Sequence, residues 1–182
     1  MKTPKPLLSM LALLAVGTLA GCSSSSTKAA DVPTVIRTSL DQAGLKDVTV
    51  SQDRNKTVLT LGGHVAKDAD KANAGAIAHS IAPAQVVSNQ VAVIPPGSES
   101  EAKTINSDLD KGIENNLDAE LIKHKLHGHV KYSVKNHVVT LTGEVVSQAT
   151  RVRAGAIAAA VPNVQQVVNE LQVKGIRATS SK

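Results

Sequence analysis

The sequence predicts an α+β fold that is built twice along this chain of 182 residues. The first observation is a repeat: residues 58–93 and 138–173 align without a gap, 80 positions apart, and are identical at 15 of 36 positions. The second is that both copies change from alternating branched residues to an alanine-rich run and back, which predicts strand, helix, strand. An apolar helical stripe and one more strand precede each copy. We therefore predict two tandem αββαβ domains, each with two helices on one face of a three-stranded mixed sheet.

The first domain is predicted at residues 31–94. Its opening helix has a narrow apolar stripe with a spacing of about four residues, formed by Val32, Ile36, Leu40 and Ala43. Gly44 is expected to end this helix. A strand with alternating branched residues follows at 48–50, and residues 53–56 turn the chain into the strand that begins at Val58.

The second domain is predicted at residues 103–177, after a proline-containing linker at 95–102 and before a short polar tail at 178–182. Its opening helix repeats the apolar stripe with Leu109, Ile113, Leu117 and Leu121. Asn136 tolerates the positive φ that a tight hairpin turn requires. Ser147 is expected to be the N-cap of the alanine-rich helix.

Each alanine-rich helix is predicted to bury one face on its sheet. In the second copy this face comprises Val152, Ala156, Ile157, Ala160 and Val161, with Ala158 turned away; in the first it comprises Ala69, Ala72, Ala76, Ile77 and Ile81. Gly75 and Gly155 lie inside these helices, where glycine costs about 1 kcal/mol relative to alanine. Close packing of the helix on the sheet would explain them, and so would contact with a ligand. Gly63 and Gly143 are predicted to end the preceding strands with a bulge or a bend.

The N-terminal residues 1–21 are predicted to be a signal peptide, because two lysines precede an apolar run that is too short to span a bilayer. The run closes on Leu19-Ala-Gly-Cys22, which resembles a bacterial lipobox. In that class the leader is cut before the cysteine, so Cys22 is the expected lipidation site; an ordinary signal peptide with an incidental cysteine is the alternative. Residues 22–30 form a serine-rich tether. Because Cys22 is the only cysteine, the chain has no internal disulfide.

The strands Val58-Leu-Thr-Leu-Gly-Gly-His-Val65 and Val138-Val-Thr-Leu-Thr-Gly-Glu-Val145, the alanine-rich helices and the closing V-x-N-x-V pattern resemble the BON domain. A lipobox followed by two such domains resembles the dual-BON outer-membrane lipoproteins, and the serine after Cys22 agrees with sorting to that membrane. The resemblance implies anionic-phospholipid binding, a periplasm-facing location and maintenance of envelope integrity, without catalysis. The sequence departs from the family at 83–84 and 163–164, and it has no Trp or Phe to act as a lipid-interface anchor.

Charge distinguishes the two predicted domains. Residues 31–94 carry six basic and six acidic side chains, whereas residues 103–177 carry ten and seven, a balance of +3. The basic excess lies at the candidate lipid-binding residues Lys123, Lys125, Lys131, Lys135, Arg151 and Arg153. A basic face against anionic headgroups and an ordinary solvated surface are both consistent with this balance. Nucleic acid is disfavoured by the secretory leader and the lack of an aromatic platform.

Three histidines, His124, His127 and His129, cluster in sequence beside this region. They could bind zinc or copper, form a pH-dependent patch, or have no role; because they straddle a helix end and a strand start, we predict no metal site. No catalytic constellation is present in the sequence, since it lacks G-x-S-x-G, a phosphate-binding glycine loop and a cysteine nucleophile. No cofactor is expected.

We therefore expect a lipid-anchored envelope protein that binds anionic phospholipid headgroups. Its expected partners are the membrane, reached through the N-terminal lipid, and envelope proteins. The rival interpretation is a periplasm-facing protein-interaction or holdase-like chaperone module that offers a strand edge or a groove.

Overall fold

The computed structural model describes residues 29–174. The predicted signal peptide, Cys22, most of the tether and the tail at 178–182 therefore lie outside the described residues. Across 29–174, every helix is too short or too polar to serve as a transmembrane segment.

The described chain forms two units with the same order of elements. The first unit comprises α1 (Pro33–Gln42), β1 (Val48–Asp53), β2 (Val58–Val65), α2 (Asp68–Ile81), β3 (Val86–Asn89) and β4 (Ala92–Val93). The second unit comprises α3 (Glu99–Lys123), β5 (Val130–Lys135), β6 (Val138–Val145), α4 (Gln148–Ala159), β7 (Gln166–Asn169) and β8 (Gln172–Val173). The α+β class predicted from the sequence is confirmed.

The sheets are mixed, as predicted, but each has four strands instead of three. In the first unit, β2 is central: it pairs antiparallel with β1, and parallel with β3 and then β4. The second unit repeats this pairing around β6. The predicted last strand is broken because the Asn89 side chain accepts a hydrogen bond from the backbone of Val91 (3.4 Å) and interrupts the ladder; Asn169 does the same with Leu171 (3.3 Å).

Helix α3 begins at Glu99, so the end of the predicted linker 95–102 is helical and the second unit starts before residue 103. Glu99 and Glu101 lie in the first turn, where carboxylates favour the positive end of the helix dipole. At 25 residues, α3 is much longer than the 10-residue α1. The predicted apolar stripe of α3 is confirmed at Ile113, Leu117 and Leu121, which are buried.

The predicted faces of the alanine-rich helices are correct only in part: Val161 is buried and Ile77, Ile81 and Ile157 pack against the cores, but the alanines predicted on these faces are exposed. Helix α4 buries Ala154 and Ala158, whereas Val152 is 60% exposed; α2 likewise buries Ala74 and Ala78. The helices pack their smallest side chains on the sheet. Val152, which was predicted to be buried, therefore points outward.

Glycine positions explain this close approach. Asn89 Nδ2 donates to the α2 carbonyl of Lys71 (2.8 Å), and Asn169 Nδ2 donates to the α4 carbonyl of Arg151 (2.8 Å). A Cβ on Gly75 or Gly155 would lie 2.9 Å from the same Nδ2 atoms. Close packing therefore accounts for both helical glycines without a ligand.

The remaining local predictions have mixed outcomes. Asn136 has φ +48°, and the Ser147 hydroxyl accepts from Thr150 N–H as an N-cap, both as predicted. The strands do not end at Gly63 and Gly143 but continue for two more residues. Gly63 has φ +82°, and a Cβ there would overlap the Asp47 carbonyl, so this glycine lets β2 bend while it continues.

The two units pack against each other through matching places in the repeat. The hairpin turn of the first unit contacts the end of β7 through Lys56 Nζ and Glu170 Oε2 (2.7 Å). The hairpin turn of the second unit contacts the end of β3 through Asn136 Nδ2 and the Gln90 carbonyl (2.7 Å). Positions 56 and 136 are equivalent in the repeat, as are 90 and 170, so these contacts exchange roles as in an isologous interface. A small apolar cluster of Val58, Val138 and Val168 lies between the units.

The outer edge of β3 is covered by a single side chain. The Gln166 amide donates to the Val87 carbonyl (2.6 Å) and accepts from Asn89 N–H (2.9 Å). It therefore pairs with the backbone as a neighbouring strand would. The equivalent residue in the first unit is Val86, which has no polar group to reciprocate.

We expect Gly155→Ala to destabilise the fold by about 1–2 kcal/mol, because the Asn169 amide must move and lose its bond to the Arg151 carbonyl. The matched control is Gly112→Ala in α3, where an added Cβ meets nothing within 4 Å. That variant should gain up to about 1 kcal/mol from helix propensity. Denaturant unfolding of both variants measures the difference, and equal stabilisation by the two substitutions would contradict the proposed packing.

Candidate membrane-contact surface

The six candidate basic residues do not share one face. Lys123 ends α3, and Lys125 lies in the following turn with φ +58°. Lys131 and Lys135 are exposed on β5 and point away from the helices, because the intervening residues of that strand point toward the helical side. Arg151 and Arg153 lie on α4, but they point in different directions.

Arg151 connects α4 to the end of β7. Its Nη2 donates to the Asn169 carbonyl (3.1 Å), on the residue whose side chain binds the Arg151 carbonyl. Its Nε is buried without a partner among the described residues. Of the six candidates, Arg151 is therefore the least available to an external ligand.

Helices α3 and α4 enclose an apolar groove of about 600 Å³. Its walls are small or branched residues, namely Ala119, Ala156, Ile157, Ala160, Val161 and Pro162. Its polar residues are Asn116, Glu120, His124 and Arg153. The groove is thus apolar, with one carboxylate, one imidazole and one guanidinium at its rim.

Lys123 and His124 both lie next to the Glu120 carboxylate at this rim, and Arg153 contacts His124. Lys123 Nζ lies 3.1 Å from Glu120 Oε1, and His124 Nε2 lies 3.6 Å from Glu120 Oε2. His124 Nδ1 lies 3.0 Å from Arg153 Nη2. Because arginine can only donate, this contact requires a neutral imidazole with its proton on Nε2. The rim therefore carries two permanent positive charges against one negative charge, and protonation of His124 would break its bond to Arg153.

The outer face of α4 is apolar and contains no acidic residue. Its exposed residues are mostly small and uncharged: Ala149, Val152, Ala156, Ala159 and Ala160. Helix α2 carries Asp68 and Asp70 in its first turn, whereas α4 has none there. We define the candidate membrane-contact surface as the α3–α4 groove, the adjacent residues Lys123, His124 and Arg153, and this outer face of α4.

His127 pairs with Asp118 instead of joining this rim. His127 Nε2 lies 2.9 Å from Asp118 Oδ1, and the Tyr132 hydroxyl donates to the same oxygen (3.0 Å). Within residues 29–174, no three His, Cys, Asp or Glu side chains are grouped as metal ligands would be. Burial and the bond to Asp118 raise the pKa of Tyr132 to about 12.

Helix α3 thus has two rows of charge, one at the groove rim and one that holds β5. Lys123 and Arg153 were predicted from the sequence, whereas Glu120 and the contacts of His124 were not. Asp118 was not predicted either, although its four-residue spacing from Glu114 on one helix face is visible in the sequence.

The comparisons with known proteins agree with this architecture. Residues 109–175, from within α3 to just beyond β8, match the family model described as the BON domain. The chain is 31% identical over 137 residues to the osmotically-inducible protein Y of Escherichia coli (strain K12), covering 74% of this chain and 67% of that protein.

Two solved structures of CdsD, a structural protein of the type III secretion system of Chlamydia trachomatis, are also similar. Both have 14% identity and a TM-score of 0.35; they cover 80% and 78% of this chain and 98% and 91% of their own. Likeness of that size carries no argument about function.

Tyr132 offers a direct test of the bond to Asp118, because it is the only tyrosine and the chain has no tryptophan. A raised folded-state pKa means that the associated stability is complete below the unfolded value near 10 and is lost as pH rises through about 12. We expect tyrosinate absorbance in the folded protein to have its midpoint near 12. Asp118→Asn should lower the midpoint, since it removes the negative charge beside the phenol. An unchanged midpoint in that variant would show that Asp118 does not hold Tyr132.

The matched residues contain the whole candidate surface, and the similarity to the Escherichia coli protein extends through most of the described chain, so this chain belongs to the BON-domain family.

Proposed function

We propose that the chain is a lipid-anchored protein of the bacterial outer membrane, facing the periplasm, whose second unit binds anionic phospholipid headgroups and helps to maintain envelope integrity. In this proposal both units are BON domains, because the first unit repeats the element order and the asparagine–glycine packing of the second. The observation that carries the proposal is the membrane-contact surface: an apolar groove and an acid-free α4 next to Lys123 and Arg153.

The geometry gives each part of this surface a separate task. Arg153 lines the groove, and Lys123 pairs with Glu120, which also lines it. In this proposal the cations attract a headgroup phosphate while the apolar walls accept the adjoining acyl segment. A basic residue near an anionic surface contributes about 1 kcal/mol. Two such residues bind only weakly, so the N-terminal lipid is needed to hold the chain at the membrane. The contact then selects which headgroups gather under the anchored protein.

The remaining basic residues act at longer range in this proposal. Lys131 and Lys135 lie on the open side of the sheet, and Lys125 lies in a turn, so they raise the local potential without entering the groove. Their attraction is screened over about 8 Å at physiological salt, so it steers approach more than it fixes the bound position.

The similarity to an osmotically-inducible protein supports a role during osmotic load. A change in turgor stresses the outer membrane, and a protein held there that gathers anionic lipid would act at the stressed structure. We therefore expect the protein to be needed when osmotic stress acts on the envelope.

The binding surface can be tested with two matched charge reversals in the full-length chain that also carries Cys22→Ser. Lys123→Glu with Arg153→Glu should reduce binding to phosphatidylglycerol vesicles about tenfold or more, because two rim cations become anions. Lys131→Glu with Lys135→Glu changes the net charge equally on another face and should have a much smaller effect. Vesicle co-sedimentation across a salt series measures both.

If both charge reversals weakened vesicle binding equally, binding would depend on net charge and not on the rim residues. Equal binding of the parent chain to phosphatidylglycerol and phosphatidylcholine vesicles would contradict headgroup selection altogether.

The anchor is tested separately. Cys22→Ala should release the protein from membranes or leave it unprocessed, because no residue then receives the lipid. Membrane fractionation with sizing by mass spectrometry detects both outcomes. A mature-sized Cys22→Ala protein that still fractionates with membranes would contradict lipid anchoring at this residue.

One observation favours the rival interaction module. Strands β1 and β5 each pair with a single neighbour across the part of the chain that the structure describes, so their outer edges can accept another strand. Lys131 and Lys135 on β5 oppose such pairing, since charged edge residues deter strand addition. Capture of a defined envelope protein without any vesicle binding would favour the rival.

A further inference from the structure

The junction between the two units contains a second cleft, separate from the membrane-contact surface. Helix α2, β3 and the start of β7 enclose about 640 Å³. This lies in the range of small-molecule sites, about 300–1,000 Å³. Its apolar lining comes from both units: Ala72, Gly75, Val86, Val87 and Val138. Val86 remains 49% exposed, so the packing of the units leaves an apolar side chain uncovered at this place.

A desolvated cation lies at one end of the cleft. Lys71 Nζ donates to Gln165 Oε1 (3.0 Å) and contacts the Asn136 carbonyl (3.5 Å), and both acceptors are uncharged. Among residues 29–174, no ion pair within 4.0 Å includes Lys71. Burial lowers the pKa of Lys71, against a smaller opposing effect of Asp68 and Asp110. A bound anion would give this ammonium group a direct counter-charge.

The equivalent positions 71 and 151 of the two units use their cations differently, and Lys71 does not hold α2 on its own strand. The equivalent residue, Arg151, turns to its own unit and binds the Asn169 carbonyl. Lys71 instead reaches across the junction to Gln165, which lies on the other unit. Arg151 therefore stabilises the second unit, whereas the equivalent Lys71 of the first unit points to the cleft.

The remaining lining determines the shape of a ligand. From Lys71 the exposed side of α2 continues past Ala72 and Gly75 to His79, eight residues later, a distance of about 12 Å along the helix axis. At the cationic end Lys71 Nζ contacts the Gln165 side chain and the Asn136 carbonyl, and two carboxylates, Asp68 and Asp110, lie near it. A small monovalent head fits this end better than a bulky or doubly charged phosphate, and an unbranched apolar chain fits the rest.

We propose that this junction cleft binds one medium-chain fatty acid, with its carboxylate at Lys71 and Gln165 and its chain along Ala72, Gly75 and Val86. The site is independent of the headgroup contact proposed above, since it shares no residue with the α3–α4 groove. A fatty acid here would contact both units at once and would therefore stabilise their packing.

The test is calorimetric titration of decanoate, below its micelle concentration, into the full-length chain that carries Cys22→Ser. We expect one saturable site. Lys71→Gln should weaken binding about tenfold by removing the charge-assisted contact, whereas Lys67→Gln, at the N-cap of α2 and outside the cleft, should not. Ala72→Trp should block the site by filling it, and Asn73→Trp, the next residue but not part of the lining, should leave it open. Circular dichroism confirms that each variant is folded.

Four outcomes would overturn the proposal. The first three are no saturable decanoate binding by the parent chain, equal binding by Lys71→Gln and Lys67→Gln, and equal binding by the two tryptophan variants. The fourth is binding of decanol or lysophosphatidylglycerol as tight as that of decanoate, which would refute the carboxylate-specific head site. Vesicle binding should be unchanged in Lys71→Gln, so failure here is distinguishable from failure of the headgroup contact.

Discussion

Two asparagine side chains determine how each alanine-rich helix lies on its sheet. The Asn89 and Asn169 amides each donate to a helix carbonyl at 2.8 Å and accept from a backbone N–H two residues later. A bond of that length requires the helix axis to come close to the strand, which leaves no room for a Cβ at Gly75 or Gly155. The same bonds divide the closing strand into two. The helix composition, the glycine and the broken strand therefore follow from one contact.

This close packing suits cores that contain almost no aromatic residue. Leucine, isoleucine, valine and alanine fill both cores, and Tyr132 is partly buried at the edge of one of them. Small side chains lose little rotamer entropy when buried, but each also removes little apolar surface from water. A close approach of helix and sheet compensates, because it brings more backbone and Cβ atoms into contact. Outward-facing residues of α4 are then free to be apolar without being needed in the core.

Duplication made the two units similar, and their junction uses the differences. Gln166 replaces the first unit's Val86 and covers the β3 edge, and Lys71 replaces Arg151 and crosses to the other unit. Charge also distinguishes the units, because the second unit carries the basic excess. At its groove rim, Glu120 neutralises one of two permanent cations. The first unit contributes α2 and β3 to the junction cleft. Each unit thus presents a different surface from the same set of elements.

Several features could be predicted from the sequence alone: the α+β class, the repeated order of elements, the buried stripe of α3, the turn at Asn136 and the cap at Ser147. Each of these depends on residues within a few positions of one another, and local periodicity or backbone preference records them directly. Which alanines of the alanine-rich helices are buried emerges only from the tertiary structure, because alanine at most positions gives no period to follow. The tertiary structure alone separated Arg151 from Arg153, made Asn89 and Asn169 packing residues and formed the junction cleft. Those features depend on distances between elements that are far apart in the chain, and no local pattern encodes such distances.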